Sequence, residues 1–570
     1  MKKQSFLKGS AILLGMVIIT KILGLMYKIP LTNLLGGTGM GYFSAAFSVF
    51  TPIFAVVVSG IPSTMARLTA ENYALERYSN LRKTRRVAYL VFGLISTAAA
   101  LAMILSADFL SVGVIGEASA KYALLCVAPS IIFCTLMSVE RGYFEGLQNM
   151  TPTAASEIVE TLFKLILGLG FAYSVSYRLS ERFETNGELF GIAYASASEA
   201  SAAALPYITA AAILGSSLAS GIACIYIFIS SRIHGDGVNK AMLSSDKMTD
   251  SASATAKRLL GLCIPIAFIS VITTLTNMID MLTINPCIQK AITKAPECYL
   301  PLLSDGIKLS MLPNFIYGSY TGLAVTVFGL VPTLTAMFGK SILPSLTESW
   351  AKNNKKEMSE NLNKMMMMTS VISIPSGIGI AILSKPILQF LFSGRETEIA
   401  VSAEPLAILG IAVVFLGIST PCFAILQTLG KPRKAVIIML TGGIIKLVLN
   451  IVLISIPQIG INGAAIATLA ANVHICIFST AAVYRMTGSK CRYGELYIKP
   501  FYAALMCGIT AAVSRSLLSN VRFFQSQHRI CLLLSIGFGS IMYFFCLYLL
   551  CETPKNIVKY IFSKKISQNS

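Results

Sequence analysis

Eight polar side chains stand inside or at the edge of long apolar runs: Lys21, Tyr27, Lys28, Lys164, Asn277, Asp280, Lys446 and Asn450. A charge at the centre of a bilayer costs about 2.5–3.5 kcal/mol on insertion scales, so such groups face one another or a hydrated cavity. The ammonium groups suit anion binding, because lysine serves as a point-charge ligand for phosphate. Lys21 sits deep in Thr20-Lys21-Ile22-Leu23-Gly24, and Tyr27 and Lys28 mark the expected outer end of the same helix. A lysine snorkelling to the headgroups is the alternative for Lys21. Glu157, Glu160 and Lys164 run down one helix, with Glu160 and Lys164 spaced i, i+4 as a favourable pair. Asn277 and Asp280 (i, i+3) share one helix face, as do Lys446 and Asn450 (i, i+4). The economical arrangement brings Asp280 to Lys446, the two asparagines completing a gating or structural ion network.

None of these spacings is one of covalent chemistry. The chain lacks a Walker A sequence, an H-E-x-x-H and a G-x-S-x-G, so neither direct ATP use nor hydrolysis is expected. Its 13 Cys form no CxxC pair, and most fall in apolar segments, where Cys is a small hydrophobe. No cofactor and no metal are expected, and the protein reads as a non-enzyme. Cys287 and Cys298 lie in an expected external connection, where pairing is open to them. His474, near Asn472, reads as a packing histidine. Met365 to Met368 read as pliable packing residues.

The elements that must carry these groups are membrane helices. Of 570 residues, 55% are hydrophobic and 13% charged, against about 25% charged in a soluble domain. Apolar runs of about 20 residues recur along the chain, long enough to span about 30 Å of hydrocarbon. In lipid such runs pair their backbone internally as helices; a β-barrel would show short alternating segments instead. Fourteen spans are predicted, at roughly 9–27, 42–62, 87–106, 121–139, 154–177, 204–230, 258–284, 315–340, 365–384, 403–428, 435–456, 463–484, 499–518 and 529–551. Residues 193–205 are Ala/Ser-rich and fit a weak helix start or a loop, and 285–314 form a long proline-containing external connection.

The net charge of +20 raises nucleic acid as a partner. The basic residues, however, fall in short clusters between apolar segments, as topology signals do. With the N-terminus inside, inner segments hold 30 Lys/Arg and outer ones 12. The positive-inside rule then places both termini in the cytoplasm of a multi-pass inner-membrane protein. The N-terminus mimics a signal peptide, but Lys21, Lys28 and Pro30 stand where a cleavage site would fall, so it reads as a retained first helix.

The two halves echo each other. Ile61-Pro62-Ser63 matches Leu343-Pro344-Ser345, and Lys164 matches Lys446, both at one offset. Leu147-Gln148 with Pro152 resembles Leu426-Gln427 with Pro432. The expected fold is therefore an all-α polytopic membrane protein with two homologous six-helix lobes (1–235 and 236–490) around a central cavity. Residues 491–570 add two helices and a basic tail. Parallel repeats of this kind hold their substrate path between the halves.

Several stretches carry a family resemblance. They are Lys21-Ile-Leu-Gly24 through Gly36-Gly37-Thr38-Gly39-Met40-Gly41-Tyr42-Phe43, then Gly142-Tyr-Phe-Glu-Gly-Leu-Gln-Asn-Met-Thr-Pro-Thr-Ala154, and Thr276-Asn-Met-Ile-Asp280. The chain resembles the stage V sporulation protein B branch of the polysaccharide-biosynthesis membrane proteins. That branch lies within the multidrug/oligosaccharidyl-lipid/polysaccharide exporter superfamily and is similar to peptidoglycan lipid II flippases. The resemblance implies alternating access and a polyprenyl-diphosphate sugar as cargo. Cell-wall synthesis enzymes join the bilayer and the glycan lipid as candidate partners. It also implies a phosphate contact for Lys21, where lipid II flippases place a cavity arginine. Tyr27 stands where they place a second one. Lys446 takes a position that in some relatives ligates sodium, so no sodium requirement is expected. The rival within the same fold is a cation-coupled multidrug antiporter, which would favour carboxylates in the first-half cavity; a non-transporting scaffold is a second.

Overall fold

The computed structural model describes residues 6–238, 242–243, 250–303, 309–336, 346, 349–350, 352, 354–429, 431–489, 491–521 and 527–550. Leu343-Pro344-Ser345 of the proposed repeat lies outside these residues. Twelve helical stretches among the described residues are long and apolar enough to cross a bilayer. The first of them, Gly15–Ala74, takes in most of the first predicted span and all of the second. The chain is thus an all-α polytopic membrane protein. It divides into two compact units, residues 1–289 with 296–318, and residues 290–295 with 319–570.

In the first unit, α1 covers Phe6–Val57 and is two rods rather than one, because Gly36 (φ 60°, ψ −170°) breaks it. A residue with φ near +60° is cheap only as glycine. The helix does not end at Tyr27-Lys28 as expected from the sequence. It runs on through Pro30 to Gly36, so these two residues lie mid-rod. The following helices are α2 (Ile61–Ala74), α3 (Tyr78–Leu105), α4 (Lys121–Val127), α5 (Ser130–Gly146), α6 (Thr151–Phe163) and α7 (Leu169–Asn186). A π turn, Lys164–Gly168, joins α6 to α7. A two-residue hairpin, β1 (Glu188–Leu189) with β2 (Ile192–Ala193), leads to α8 (Ala197–His234). The Ala/Ser-rich stretch is a helix start: the Ser196 hydroxyl accepts from the Glu199 amide at 3.3 Å, an N-cap.

Helix α9 (Ala252–Lys294) contains Pro286 and continues ten residues into the predicted 285–314 connection, which in the structure starts only after Lys294. Cys287 is buried on this helix, Cys298 is exposed, and both thiols are free. Helix α10 covers Leu312–Ser319. The second unit holds α11 (Val325–Phe328), α12 (Lys355–Ile382), α13 (Ser384–Leu391), α14 (Glu396–Thr428), α15 (Pro432–Ile454), α16 (Asn462–Thr487), α17 (Lys499–Ser519) and α18 (His528–Leu550).

The glycine-rich motifs have packing reasons. A Cβ at Gly142 would strike the Pro62 carbonyl and approach Met65 Cβ to 2.7 Å; at Gly146 it would meet Thr69 Cβ at 2.6 Å. This Gly-x-x-x-Gly face lets the backbones of α2 and α5 touch, the usual device for close helix pairs in membranes. Around that contact Ile61, Met65, Phe92, Tyr143 and Phe144 form the core. Asn314 of α10 donates to the Thr38 carbonyl at 3.0 Å. Gly41 leaves room for the Asn314 side chain beside it. In the second unit Met365, Met366 and Met367 are buried in a cluster with Ile418, Cys422 and Ile425.

Candidate functional site

The first unit collects three of the residues singled out above. On α1, Tyr27 is 3% exposed, and its hydroxyl lies 3.2 Å from Ser216 Oγ on α8. Gly168 makes space for the ring, since a Cβ there would meet Tyr27 Cε2 at 2.7 Å. The π turn opens at Lys164. Its Nζ lies over the Tyr27 ring at 5.3 Å and over Phe47 at 5.5 Å. One residue beyond Tyr27, the Lys28 ammonium lies over Phe43 at 5.1 Å. The two lysines are near enough to interact electrostatically. Phe43, Phe47, Phe50 and Phe54 form a ladder down the second rod of α1, with successive ring centroids 4.7, 5.8 and 5.5 Å apart.

Aromatic faces attract cations, by about 0.5–1 kcal/mol when exposed and about 2 when desolvated. That offsets only part of the cost of half-burying an ammonium. Among the described residues no carboxylate lies within 4.0 Å of either ammonium. Glu160 acts on Lys164 electrostatically, but the two make no direct ion pair. Glu160 instead accepts from Arg141 at 3.1 Å and from Ser220 at 2.9 Å, while Arg141 also reaches Ser156 at 2.9 Å and Glu157 at 3.6 Å. The planar guanidinium offers Glu160 directional donors that a lysine cannot match. Two half-buried positive groups therefore remain, walled by rings and without a carboxylate in direct contact among the described residues. Such a pair of ammonium groups is chemically suited to an anion.

Lys21 is exposed. It stands seven residues before Lys28, which on a helix is nearly the same face, roughly 10 Å along the axis. Asp280 is half-buried on α9 and interacts electrostatically with Tyr317, whose hydroxyl lies 3.2 Å from Ser48 Oγ. The backbone of Asn277 lies on the same helix. Lys446 and Asn450 belong to the other unit, on α15, where they are 7% and 0% exposed and both engaged with partners. His474 packs as expected, 2.8 Å from Thr441 Oγ1 and 4.4 Å from the Phe478 ring centroid.

Below the lysine site lies a network of paired charges. Glu140 is fully buried and accepts from Arg85 Nε at 2.8 Å and from the Tyr89 hydroxyl. Arg85 also donates to Ser231 at 2.8 Å and stacks on Tyr143 at 4.6 Å. The Tyr143 hydroxyl donates to Asp236 at 2.9 Å. Burial pushes the Asp236 carboxyl up, but the Val238 amide, Tyr143 and Arg82 outweigh it and hold the group below its ordinary range. The loop after α5 is ordered: Thr153 donates to Glu145 at 3.0 Å, and Asn149 accepts from the Thr151 amide at 3.2 Å.

Sequence reasoning missed Phe43, Phe47 and Ser216. The phenylalanines carried a signal, since Phe43, Phe47, Phe50 and Phe54 recur at spacings of four and three, one helix face. Ser216 lies in an Ala/Ser-rich helix with nothing to mark it.

Long apolar helices, some with half-buried ammonium groups among them, define a multi-pass membrane protein. The chain belongs to the polysaccharide biosynthesis protein family, whose sequence model matches residues 6–350. The model of the lipid II flippase MurJ matches residues 316–539. Lipid II flippase MurJ of Bacillus subtilis (strain 168) is 25% identical over 563 residues, covering 96% of this chain and 95% of that protein. Stage V sporulation protein B of the same organism is 22% identical over 530 residues, 91% of each chain. Among solved structures, the inward closed conformation of lipid II flippase MurJ superposes with a TM-score of 0.62 at 15% identity, covering 93% of this chain and 96% of that one. An inward-facing multidrug resistance MATE transporter gives 0.58 at 13% identity, over 82% and 94%.

Proposed function

We propose that this protein is a flippase that carries a lipid-linked anionic glycan precursor, a polyprenyl-diphosphate sugar such as lipid II, from the inner to the outer leaflet by alternating access. The observation that carries the proposal is the pair Lys28 and Lys164, half-buried against Tyr27, Phe43 and Phe47 with no carboxylate in contact among the described residues. Its unsatisfied positive charge matches a diphosphate. Relatives named as a lipid II flippase and a sporulation protein, aligned along nearly the whole chain, support the same cargo class.

A polar headgroup crossing about 30 Å of hydrocarbon needs such a hydrated, cationic path, while the lipid tail stays in the bilayer. In this mechanism Lys21, exposed on the stripe that leads to Lys28, receives the diphosphate first, and Lys28 and Lys164 hold it deeper. Both termini lie in the cytoplasm, by the excess of Lys/Arg on that side. An interior-negative potential then drives the anion outward, by about 2.3 kcal/mol per charge per 100 mV. Cell-wall synthesis enzymes are the expected consumers of the product.

A multidrug antiporter is favoured by one observation, a 28% identity over 183 residues to a probable multidrug resistance protein NorM of Oceanobacillus iheyensis. Cationic cargo is repelled by Lys28 and Lys164, which weighs against it. The test is depletion of the protein in its host: a lipid-linked sugar accumulates on the cytoplasmic face. Unchanged lipid pools together with drug hypersensitivity support the antiporter instead.

A further inference from the structure

The two C-terminal helices are absent from the site described above, yet they carry an arginine inside a membrane span. Arg515 lies on α17, 16 residues past Lys499, roughly 24 Å along the helix axis. It therefore sits near the membrane face at which α17 ends and α18 begins. Among the described residues its guanidinium makes no hydrogen bond and no ion pair; only its backbone carbonyl is engaged, by Cys531 Sγ at 3.8 Å. A guanidinium carries five donors in a fixed fork. Leaving all of them idle in a half-buried place is costly.

Arg515 opens into a cavity of about 390 Å³ whose polar wall is Arg515, Ser516, Ser519 and His528. Among the described residues no acidic side chain lines it. A second cavity of about 410 Å³ shares Arg515 and His528 and adds Arg529, which donates to Ser393 at 3.1 Å, and one carboxylate, Glu396. The first cavity thus has one guanidinium and the Ser516 hydroxyl as donors facing it, the Ser519 hydroxyl being spent on the Ser516 carbonyl at 2.8 Å, and no acidic residue among the described ones. Next to it α17 and α18 present bare apolar side chains: Val513, Leu517, Ile530 and Leu533 are 52%, 64%, 42% and 56% exposed. Donors for a phosphate beside a strip for hydrocarbon describe the two ends of an amphiphile. Basic pockets between membrane helices bind anionic lipid headgroups on this chemistry.

We propose that the cavity formed by α12, α17 and α18 around Arg515 is a binding site for one anionic phospholipid, its phosphate on Arg515 and Ser516 and its acyl chains along α17 and α18. In the orientation proposed above this is a lipid of the outer leaflet. The site is separate from the lysine site, and its occupant is a resident lipid rather than the cargo.

The test uses the purified full chain in detergent, titrated with phosphatidylglycerol and followed by native mass spectrometry. The wild type takes up one phosphatidylglycerol ahead of all others, and phosphatidylcholine of the same chain length binds at least tenfold more weakly. Arg515→Gln lowers the affinity of that first lipid by about tenfold or more, the worth of a charge-assisted phosphate contact. Arg515→Lys, which keeps the charge, retains part of it. Ser516→Phe fills the cavity while leaving the arginine, and also removes the first lipid; it serves where Arg515→Gln does not fold. Equal first-lipid binding by wild type, Arg515→Gln and Ser516→Phe overturns the proposal. Displacement of the lipid by millimolar inorganic phosphate overturns the lipid assignment in favour of a free-anion site. Because the readout is lipid mass on resting protein, its failure is distinct from any failure of flipping.

Discussion

Replacing Lys164 by glutamine separates function from stability in opposite directions. The ammonium has no carboxylate in direct contact among the described residues, and Glu160, which attracts it from further off, keeps Arg141 at 3.1 Å when the lysine is gone. What the fold loses is attraction to the Tyr27 and Phe47 rings at 5.3 and 5.5 Å, about 0.5–2 kcal/mol. What it gains is relief from half-burying a charge and from repulsion by Lys28, against which stands the lost attraction to Glu160. The two terms nearly cancel, and the melting temperature of Lys164→Gln in detergent should match or exceed that of the wild type. Cargo handling should suffer, because a charge-assisted contact to phosphate is worth about 1.5–3 kcal/mol, or about 10- to 150-fold in affinity. The assay is transfer of a fluorescent polyprenyl-diphosphate sugar across vesicles reconstituted with equal amounts of each protein, alongside thermal unfolding. Lys28→Gln should behave alike, and Lys164→Arg should retain most activity. A large drop in melting temperature with unchanged transfer would refute the reasoning, for it would mean that the ammonium is a structural ion-pair partner.

The Arg85–Glu140 pair should respond in the contrary way. Arg85→Leu leaves the fully buried Glu140 uncompensated and should cost about 3–5 kcal/mol, while Arg85→Leu/Glu140→Leu should recover a large part; additive losses in a thermal double-mutant cycle would exclude that coupling. Gly142→Ala must push α5 off the Pro62 carbonyl of α2, an overpacking cost of about 1–3 kcal/mol that lowers the melting temperature, whereas Gly170→Ala, with nothing within 4 Å, should be silent. Asp236, whose carboxyl is held below its ordinary range, contributes stability that is present above its unfolded value and fades as pH falls through the depressed folded one. Asp236→Asn should accordingly melt below the wild type at neutral pH, and the gap should close in acid; a gap independent of pH would contradict this.

Much of the fold was legible because membrane helices declare themselves by length and hydropathy. What failed was the placing of helix ends. Tyr27-Lys28 resembled an interface terminus, yet Pro30 is accommodated within the rod and the break falls at Gly36, where only φ marks it. Pro286 looked like a loop residue and lies within α9. Proline is tolerated inside membrane helices when neighbours satisfy the freed backbone groups, and sequence alone does not reveal those neighbours. At the site, Tyr27, Lys28 and Lys164 were found as residues out of place in hydrocarbon. Their grouping depends on tertiary contacts with Phe43, Phe47 and Ser216. The partner of Glu160 was misassigned because i, i+4 spacing names the nearest cation in sequence, and Arg141, 19 residues away, is the one in contact.

The π turn at Lys164–Gly168 fits one more residue into the coil than a regular winding would hold. Each residue accounts for about 100° of rotation and about 1.5 Å of rise. Such an insertion uncouples the angular phase of α6 from that of α7, so each can keep its own contacts while the junction aims Lys164 inward. The same surplus makes the junction a natural swivel: were the wide turn to migrate by a few positions, the lysine would swing around the axis while both flanking rods stayed seated. A carrier that must present its cation first to one aqueous side and then to the other would thereby reorient a single side chain without unfolding a helix.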